Sequence, residues 1–191
     1  MGIRSFLAFE LPSQIRQVLL RVHDELKGLP LDVRWVRPEG IHLTMVFMGD
    51  VREGDIAPIM EGVGEASLPY GPFSMALRGM GCFPNSRNPR VLWLGVESDL
   101  ERLSRFRDDL QEKLLPFGIP SEARAFRPHL TLGRFKKPGK KEAALEELLL
   151  KHRGLTSPVC SLNELILFRS DLKPGGAVYT KMASWGLRGD Q

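Results

Sequence analysis

The apolar residues of this chain fall into short runs and helically spaced stripes that follow one another from the amino terminus onward. Residues 6–11 form a short apolar run that ends at Pro12, which is typical of a buried strand. Ser13 is suited to capping a helix, and apolar residues then recur at helical spacing, at Ile15, Val18, Leu19, Val22 and Leu26. The pattern predicts a strand followed by a helix over residues 13–27.

The same two patterns continue along the rest of the chain. Strand-like runs occupy residues 33–36, 42–48, 73–77, 91–96, 162–168 and 178–185. Helical stripes predict helices over residues 55–66, 98–115 and 141–152, and Ser98 with Glu101 forms a capping box for the second of these. Residues 79–88, rich in glycine, proline and asparagine, predict a long loop. The mixture of strands and helices predicts an α+β fold.

One tripeptide, His-Leu-Thr, occurs twice in the chain, as His42-Leu43-Thr44 and as His129-Leu130-Thr131. An arginine-proline pair precedes each copy, at Arg37-Pro38 and Arg127-Pro128. The two copies are 87 residues apart, which is close to half of the chain. We therefore predict a duplicated lobe, with the two motif strands related by a pseudo-two-fold axis.

The repeated motif indicates acid-base chemistry. In a strand, residues i and i+2 point to the same face, so each copy presents an imidazole beside a hydroxyl. Two such strands facing each other would place His42 and His129 on either side of one cleft. An imidazole titrates near neutral pH, so the pair can hold one proton donor and one proton acceptor at the same time.

The motif has two other interpretations. A histidine and a threonine on one strand face can form a buried hydrogen-bonded pair with a purely structural role, but duplication with matched flanking residues argues against it. A metal site is a weaker alternative, because two histidines supply too few ligands and neither motif contains an acidic residue. We expect no metal and no cofactor.

Composition limits the classes of protein to which the chain can belong. A chain of 191 residues with 42% hydrophobic content predicts a single domain, residues 1–191, with two lobes. The formal net charge of +4 permits an anionic substrate, and basic residues concentrate in two segments, 78–90 and 124–141. Two isolated cysteines, no targeting segment and no membrane-spanning run indicate a cytoplasmic protein that does not enter membranes.

Two ordered His-x-Thr motifs resemble those of the two-histidine (2H) phosphoesterase superfamily. The surrounding sequence resembles, within it, the RNA 2',3'-cyclic phosphodiesterases, also called 2'-5' RNA ligases. The segments that carry this resemblance are Arg34-Trp35-Val36-Arg37-Pro38-Glu39, Gly81-Cys82-Phe83-Pro84-Asn85, residues 90–96 and Phe126-Arg127-Pro128-His129-Leu130-Thr131-Leu132. The resemblance implies a duplicated, two-lobed α+β fold with antiparallel-rich sheets flanking a central groove and helices outside.

The resemblance also implies a reaction and a set of roles. An RNA with a 2',3'-cyclic phosphate end, such as a tRNA fragment, would be hydrolysed to a 2'-phosphate by a monomeric, metal-independent enzyme. His129 would deprotonate the attacking water, and His42 would protonate the departing 3' oxygen. Thr44 and Thr131 would donate hydrogen bonds to the nonbridging phosphate oxygens, and Arg134 would contact the phosphate.

Strict strand alternation conflicts with one of these roles. It places Arg134 on the face opposite His129 and Thr131, so a groove position requires a strand end or a bulge near Gly133. Alternation also places Val46, where the resembled family often has a charged residue, on the face of His42 and Thr44. Two functional alternatives remain open: 2'-5' RNA ligation by the reverse reaction, and a non-catalytic RNA-binding protein that uses the same groove.

Overall fold

A computed structural model describes residues 2–137, 143–174 and 176–190 of the chain. Within these residues the helices are α1 (Ser13–Lys27), α2 (Ile56–Ser67), α3 (Leu100–Leu114) and α4 (Ala143–Lys151). The strands are β1 (Gly2–Phe9), β2 (Val33–Trp35), β3 (Leu43–Arg52), β4 (Phe73–Phe83), β5 (Val91–Glu97), β6 (His129–Phe135), β7 (Cys160–Leu162), β8 (Glu164–Lys173) and β9 (Gly176–Gly186). The short 3-10 helix Pro38–Gly40 lies directly before the first motif.

The described strands form two antiparallel sheets. Sheet A has the order β3-β1-β8-β9, and sheet B has the order β2-β6-β5-β4-β7. Each sheet therefore contains one motif strand, β3 in sheet A and β6 in sheet B. Next to each motif strand lies the strand that precedes a long helix in the chain, β1 before α1 and β5 before α3.

The duplication extends over both halves of the chain. The 87-residue separation of the motifs carries α1 (Ser13–Lys27) onto α3 (Leu100–Leu114) and the start of α2 onto the start of α4. It also carries β4 onto β7 and β8. Each half contributes a strand to the sheet that holds the other half's motif. Strand β4 of the first half joins sheet B, and strand β8 of the second half joins sheet A. The predicted α+β fold, duplicated and built on two antiparallel sheets, is confirmed.

The hydrophobic core is continuous between the two sheets and the helices. Leu7 and Phe9 of β1 and Leu130 and Leu132 of β6 all belong to one buried cluster. Phe9 packs near Phe106 of α3, with ring centroids 6.4 Å apart. A second, smaller cluster covers the opposite face of sheet A and consists of Phe6, Ala8, Ile166 and Phe168, with Tyr179 packed against it.

Several element boundaries differ from the sequence predictions. The first strand begins at Gly2, and β4 continues through Phe83, so half of the loop predicted over 79–88 is strand. Asp99 caps α3 by accepting a hydrogen bond from the backbone N–H of Arg102, so the Ser98 capping box is wrong. Neither Pro12 nor Ser13 makes a side-chain cap at α1. The start of the helix predicted over 141–152 lies outside the described residues.

Candidate active site

The two motif histidines are held in the same way. Nδ1 of His42 is 2.8 Å from the carbonyl oxygen of Gly40, and Nδ1 of His129 is 2.7 Å from the carbonyl oxygen of Arg127. Each ring therefore donates its Nδ1–H to the carbonyl of the residue two positions earlier. This bond sets the tautomer, and it leaves Nε2 of each neutral ring as a proton acceptor.

Aromatic side chains hold both imidazole rings. The ring of His42 stacks on Phe6 at 4.5 Å between centroids, and Tyr179 meets it edge-on at 5.2 Å. The ring of His129 meets Phe83 edge-on at 5.0 Å. Since Phe6 and Tyr179 belong to sheet A and Phe83 belongs to sheet B, each lobe supplies the side chains that hold its own histidine.

The two threonines share the face of their histidines. Thr44 is paired with Ala8, which lies two residues from the Phe6 that contacts His42, and Thr131 is paired with Trp93 on the same face as His129. Both threonines are half-buried. Neither hydroxyl makes a hydrogen bond to another of the described residues, so both are available to a ligand.

A bulge in β6 decides where Arg134 points. Strand β5 pairs Trp93 with Thr131 but Leu92 with Gly133, which leaves Leu132 as an extra, unpaired residue. After the bulge Arg134 is paired with Val91, two residues from Trp93 and therefore on the same face. The structure thus places Arg134 on the face of His129 and Thr131, against strict alternation.

Gly133 makes this bulge possible. A Cβ at Gly133 would lie 2.4 Å from Cγ1 of Val33 on the neighbouring strand β2. The absence of a side chain lets β2 pair with β6 directly beside the bulge.

A matching bulge in β3 corrects the predicted position of Val46. Strand β1 pairs Ala8 with Thr44 but Leu7 with Val46, so Met45 is the extra residue. Val46 consequently lies with Leu7 in the main core and is 5% exposed. Phe47 is turned onto the groove face in its place, paired with Phe6 and 54% exposed. Phe47 and Arg134 occupy equivalent positions in the two lobes.

The electrostatics of the groove connect the two lobes. Burial lowers the pKa of His42 to about 4. Burial also lowers the pKa of His129, and the positive charge of Arg134 adds to this effect. The same charge acts on Tyr179, whose pKa burial raises. Because Tyr179 contacts His42 while Arg134 acts on both Tyr179 and His129, the two motif strands border one groove.

Two further arginines of the groove lie outside the basic segments recognised in the sequence. Arg4 of β1 places its guanidinium carbon 4.7 Å from the centroid of the Phe47 ring. Arg34 of β2 is the direct register partner of Arg134. Sequence analysis missed both, because only strand pairing brings these isolated cations to the groove.

The predicted basic segments are less available to an anion than their sequence indicates. Arg78 forms an ion pair with Glu97 at 2.9 Å, and Lys136 forms one with Asp32 at 3.0 Å. Arg87, by contrast, is exposed on the loop between β4 and β5. Lys140 and Lys141, at the end of the second segment, lie outside the described residues.

The described residues contain neither a cluster of metal ligands nor a helix that could span a membrane. No group of three or more His, Cys, Asp or Glu side chains in residues 2–137, 143–174 and 176–190 stands close enough together to hold a metal ion. None of the helices in these ranges has the length and apolar character needed to cross a membrane. Cys82 and Cys160 are both buried and free.

Comparison with known proteins agrees with the duplicated groove. The family model of LigT-like phosphoesterases matches the chain twice in succession, over residues 9–93 and over residues 94–179. The chain belongs to the LigT-like phosphoesterase family. This confirms the resemblance to 2H phosphoesterases, and each copy of the family model contains one His-Leu-Thr motif.

Relatives of this LigT-like phosphoesterase match it over nearly its whole length. An RNA 2',3'-cyclic phosphodiesterase of Methanothermobacter thermautotrophicus is 38% identical over 187 residues, which cover 98% of this chain and 100% of the relative. The structure of TT0787 of Thermus thermophilus superimposes with a TM-score of 0.81 at 27% identity, covering 99% and 100% of the two chains. That of Escherichia coli LigT complexed with 3'-AMP superimposes with a TM-score of 0.74 at 26% identity, covering 98% and 99%.

Proposed function

We propose that this LigT-like phosphoesterase is an RNA 2',3'-cyclic phosphodiesterase that forms a 2'-phosphate without a metal ion. The observation that carries the proposal is the matched setting of the two imidazoles, each with Nδ1 bound to a backbone carbonyl and Nε2 left for chemistry. The activity named for the 38% identical relative supports the substrate. The structural neighbour LigT, which was solved in complex with 3'-AMP, supports a nucleotide as the ligand.

The environment of the two histidines supports the roles that the family resemblance implies for them. Burial and the charge of Arg134 together lower the pKa of His129, so a positive charge on this ring is disfavoured and the ring acts as the base. The low pKa of His42 comes from burial and is not caused by a neighbouring cation. An anion bound beside His42 therefore offsets the unfavourable burial of its charge, and His42 becomes the acid in the substrate complex.

The reaction balances with these two groups alone. His129 Nε2 removes a proton from water while the water oxygen forms a bond to phosphorus. The bond between phosphorus and O3' breaks, and His42 Nε2 donates its proton to O3'. The product carries a 2'-phosphate and a 3'-hydroxyl. Exchange of protons with solvent then returns both imidazoles to their starting states.

The remaining groove residues stabilise the phosphate and the nucleotide. The hydroxyls of Thr44 and Thr131 and the guanidinium of Arg134 donate to the nonbridging oxygens, where negative charge increases in the transition state. Phe47 offers an exposed aromatic surface on which a nucleobase can stack, since every base has a π-face.

The test is to incubate the purified protein, with EDTA present, with an RNA that ends in a 2',3'-cyclic phosphate. We expect a 2'-phosphate product, and His42→Ala and His129→Ala should each reduce turnover by at least about a hundredfold. His152→Gln serves as a control, because His152 lies beside Glu25 and away from the groove. A 3'-phosphate product, a ligated RNA, or loss of activity in EDTA with rescue by a divalent cation would each contradict the proposal.

A further inference from the structure

Arg4 is one of the two groove arginines, with Arg34, that the proposed reaction does not use. It lies on β1 two residues from Phe6, so both side chains share the face that carries His42. Its guanidinium carbon is 4.7 Å from the centroid of the Phe47 ring. Two residues along a strand span about 6.6 Å. Arg4 therefore lies about this distance, or about one nucleotide step, from Phe6, whose ring stacks on His42.

The Arg4 side chain is preorganised to bind an anion. Its side chain is half-buried and held against Phe47, so less side-chain entropy is lost when the guanidinium binds a ligand. Asp50 is its register partner on β3, yet Arg4 forms no ion pair with Asp50 or with any other described residue. The hydrogen-bonding edge of the guanidinium thus remains available.

The groove contains two separate arginines around one tyrosine. The charges of Arg134 and Arg4 both act on Tyr179, so both guanidinium groups lie near the phenol. The duplication does not repeat this cation, because the second lobe has Val91 at the position equivalent to Arg4. Arg4 is therefore an addition to the first lobe and not a second copy of the phosphate contact made by Arg134.

We propose that Arg4 binds the phosphodiester on the 5' side of the terminal nucleotide and makes the enzyme prefer an RNA end to a cyclic mononucleotide. This inference rests on the proposed function, with Arg134 on the cyclic phosphate and the terminal base on Phe47. The two arginines then contact two successive phosphates, and the terminal nucleoside lies between them against Tyr179.

Three substrates test the inference: adenosine 2',3'-cyclic phosphate, the dinucleotide ApA with a 2',3'-cyclic phosphate, and the same dinucleotide with an uncharged methylphosphonate linkage. Arg4→Gln should lower kcat/KM for the charged dinucleotide by about tenfold to a hundredfold, the range of a charge-assisted hydrogen bond. It should change kcat/KM for the mononucleotide and the methylphosphonate by less than about twofold. The salt dependence of KM for the charged dinucleotide should also become shallower, by about 0.7 in logarithmic slope.

Two matched variants complete the design. Arg105→Gln removes an exposed arginine of helix α3 that pairs with Glu101 and should leave all three substrates unchanged. Arg34→Gln removes a cation of the other lobe. If Arg34→Gln, and not Arg4→Gln, discriminates between the substrates, the RNA runs over the second lobe and the inference is wrong.

The results separate the two proposals. If the wild-type protein hydrolyses none of the substrates, the proposed function itself fails. If the wild type hydrolyses them and Arg4→Gln affects mononucleotide and dinucleotide equally, Arg4 acts at the terminal nucleotide and only the present inference is overturned. The same holds if Arg4→Gln affects neither substrate.

Discussion

The charge of His42 in the free protein gives the sharpest prediction. Burial lowers the pKa of His42 from 6.5 to about 4, so the ring is neutral at pH 7. The proposed reaction needs the same ring protonated. We predict that His42 titrates near pH 4 in the free protein, and that an anion bound in the groove raises its pKa by at least about one unit, as opposite charges do at close range.

The shift has a consequence for stability whose sign follows from proton binding. The pKa of His42 is lower in the folded than in the unfolded protein, so the unfolded chain binds more protons between pH 6.5 and pH 4. The stabilisation is fully present above pH 6.5 and is lost as the pH falls toward 4. At 1.36 kcal/mol per pKa unit, the full effect is about 3 kcal/mol. About 2 kcal/mol of it is lost between pH 7.5 and pH 5.

The measurement compares wild type with His42→Gln, which has a side chain of similar size that does not titrate. Denaturant unfolding at pH 7.5 and at pH 5 gives the free energy of unfolding of both proteins. The loss between the two pH values should be about 2 kcal/mol larger for the wild type. Other titrating groups contribute to both proteins, so they cancel in this difference.

An NMR titration supplies the direct test, because the ring signals absent from His42→Gln assign His42. The titration is run without ligand and with inorganic phosphate. A midpoint near 6.5 in the free protein would show that the stacked ring is not desolvated, and equal pH dependence of stability in the two proteins would lead to the same conclusion. A pKa unchanged by phosphate would remove His42 as the acid.

Three further variants test other parts of the groove. Arg134→Lys should lower turnover on cyclic-phosphate RNA by at least about tenfold, because an ammonium group cannot make a bidentate phosphate contact. If this variant turns over as fast as the wild type, Arg134 does not contact the phosphate. Phe47→Leu should raise KM about tenfold through lost base stacking, and an unchanged KM would show that the base lies elsewhere. Gly81→Ala would place a Cβ 2.4 Å from the Trp93 ring, so turnover should fall as Trp93 shifts toward His129. Activity equal to wild type in a steady-state assay would show that Trp93 can move without disturbing His129.

Much of the groove could be predicted from the sequence because its chemistry is local. A histidine and a threonine two positions apart share a face in any strand, so the repeated tripeptide was enough to place His42 beside Thr44 and His129 beside Thr131. The 87-residue separation predicted the duplication, since this spacing carries α1, α2 and β4 of one half onto α3, α4 and β7 with β8 of the other. The roles of these residues stay predictions.

Strand pairing decided what the sequence pattern could not. The pattern assumes strict alternation, and one unpaired residue reverses the face of every later position. Bulges at Met45 and Leu132 turned Val46 into the core and brought Phe47 and Arg134 to the groove. No periodicity in one strand records such a residue, because the bulge is defined by the partner strand.

The environment of the imidazoles was also decided only by the tertiary structure. From the sequence, His42 is a ring that titrates near neutral pH. The ring of Phe6, a residue distant in the chain, stacks on His42 at 4.5 Å between centroids, and Tyr179 contacts the His42 ring edge-on. These side chains exclude water from a charge that water would stabilise, which is why the pKa of His42 falls to about 4. The sequence determined which imidazoles and hydroxyls stand side by side, and the packing of distant strands determined the environment that lowers the pKa of both rings.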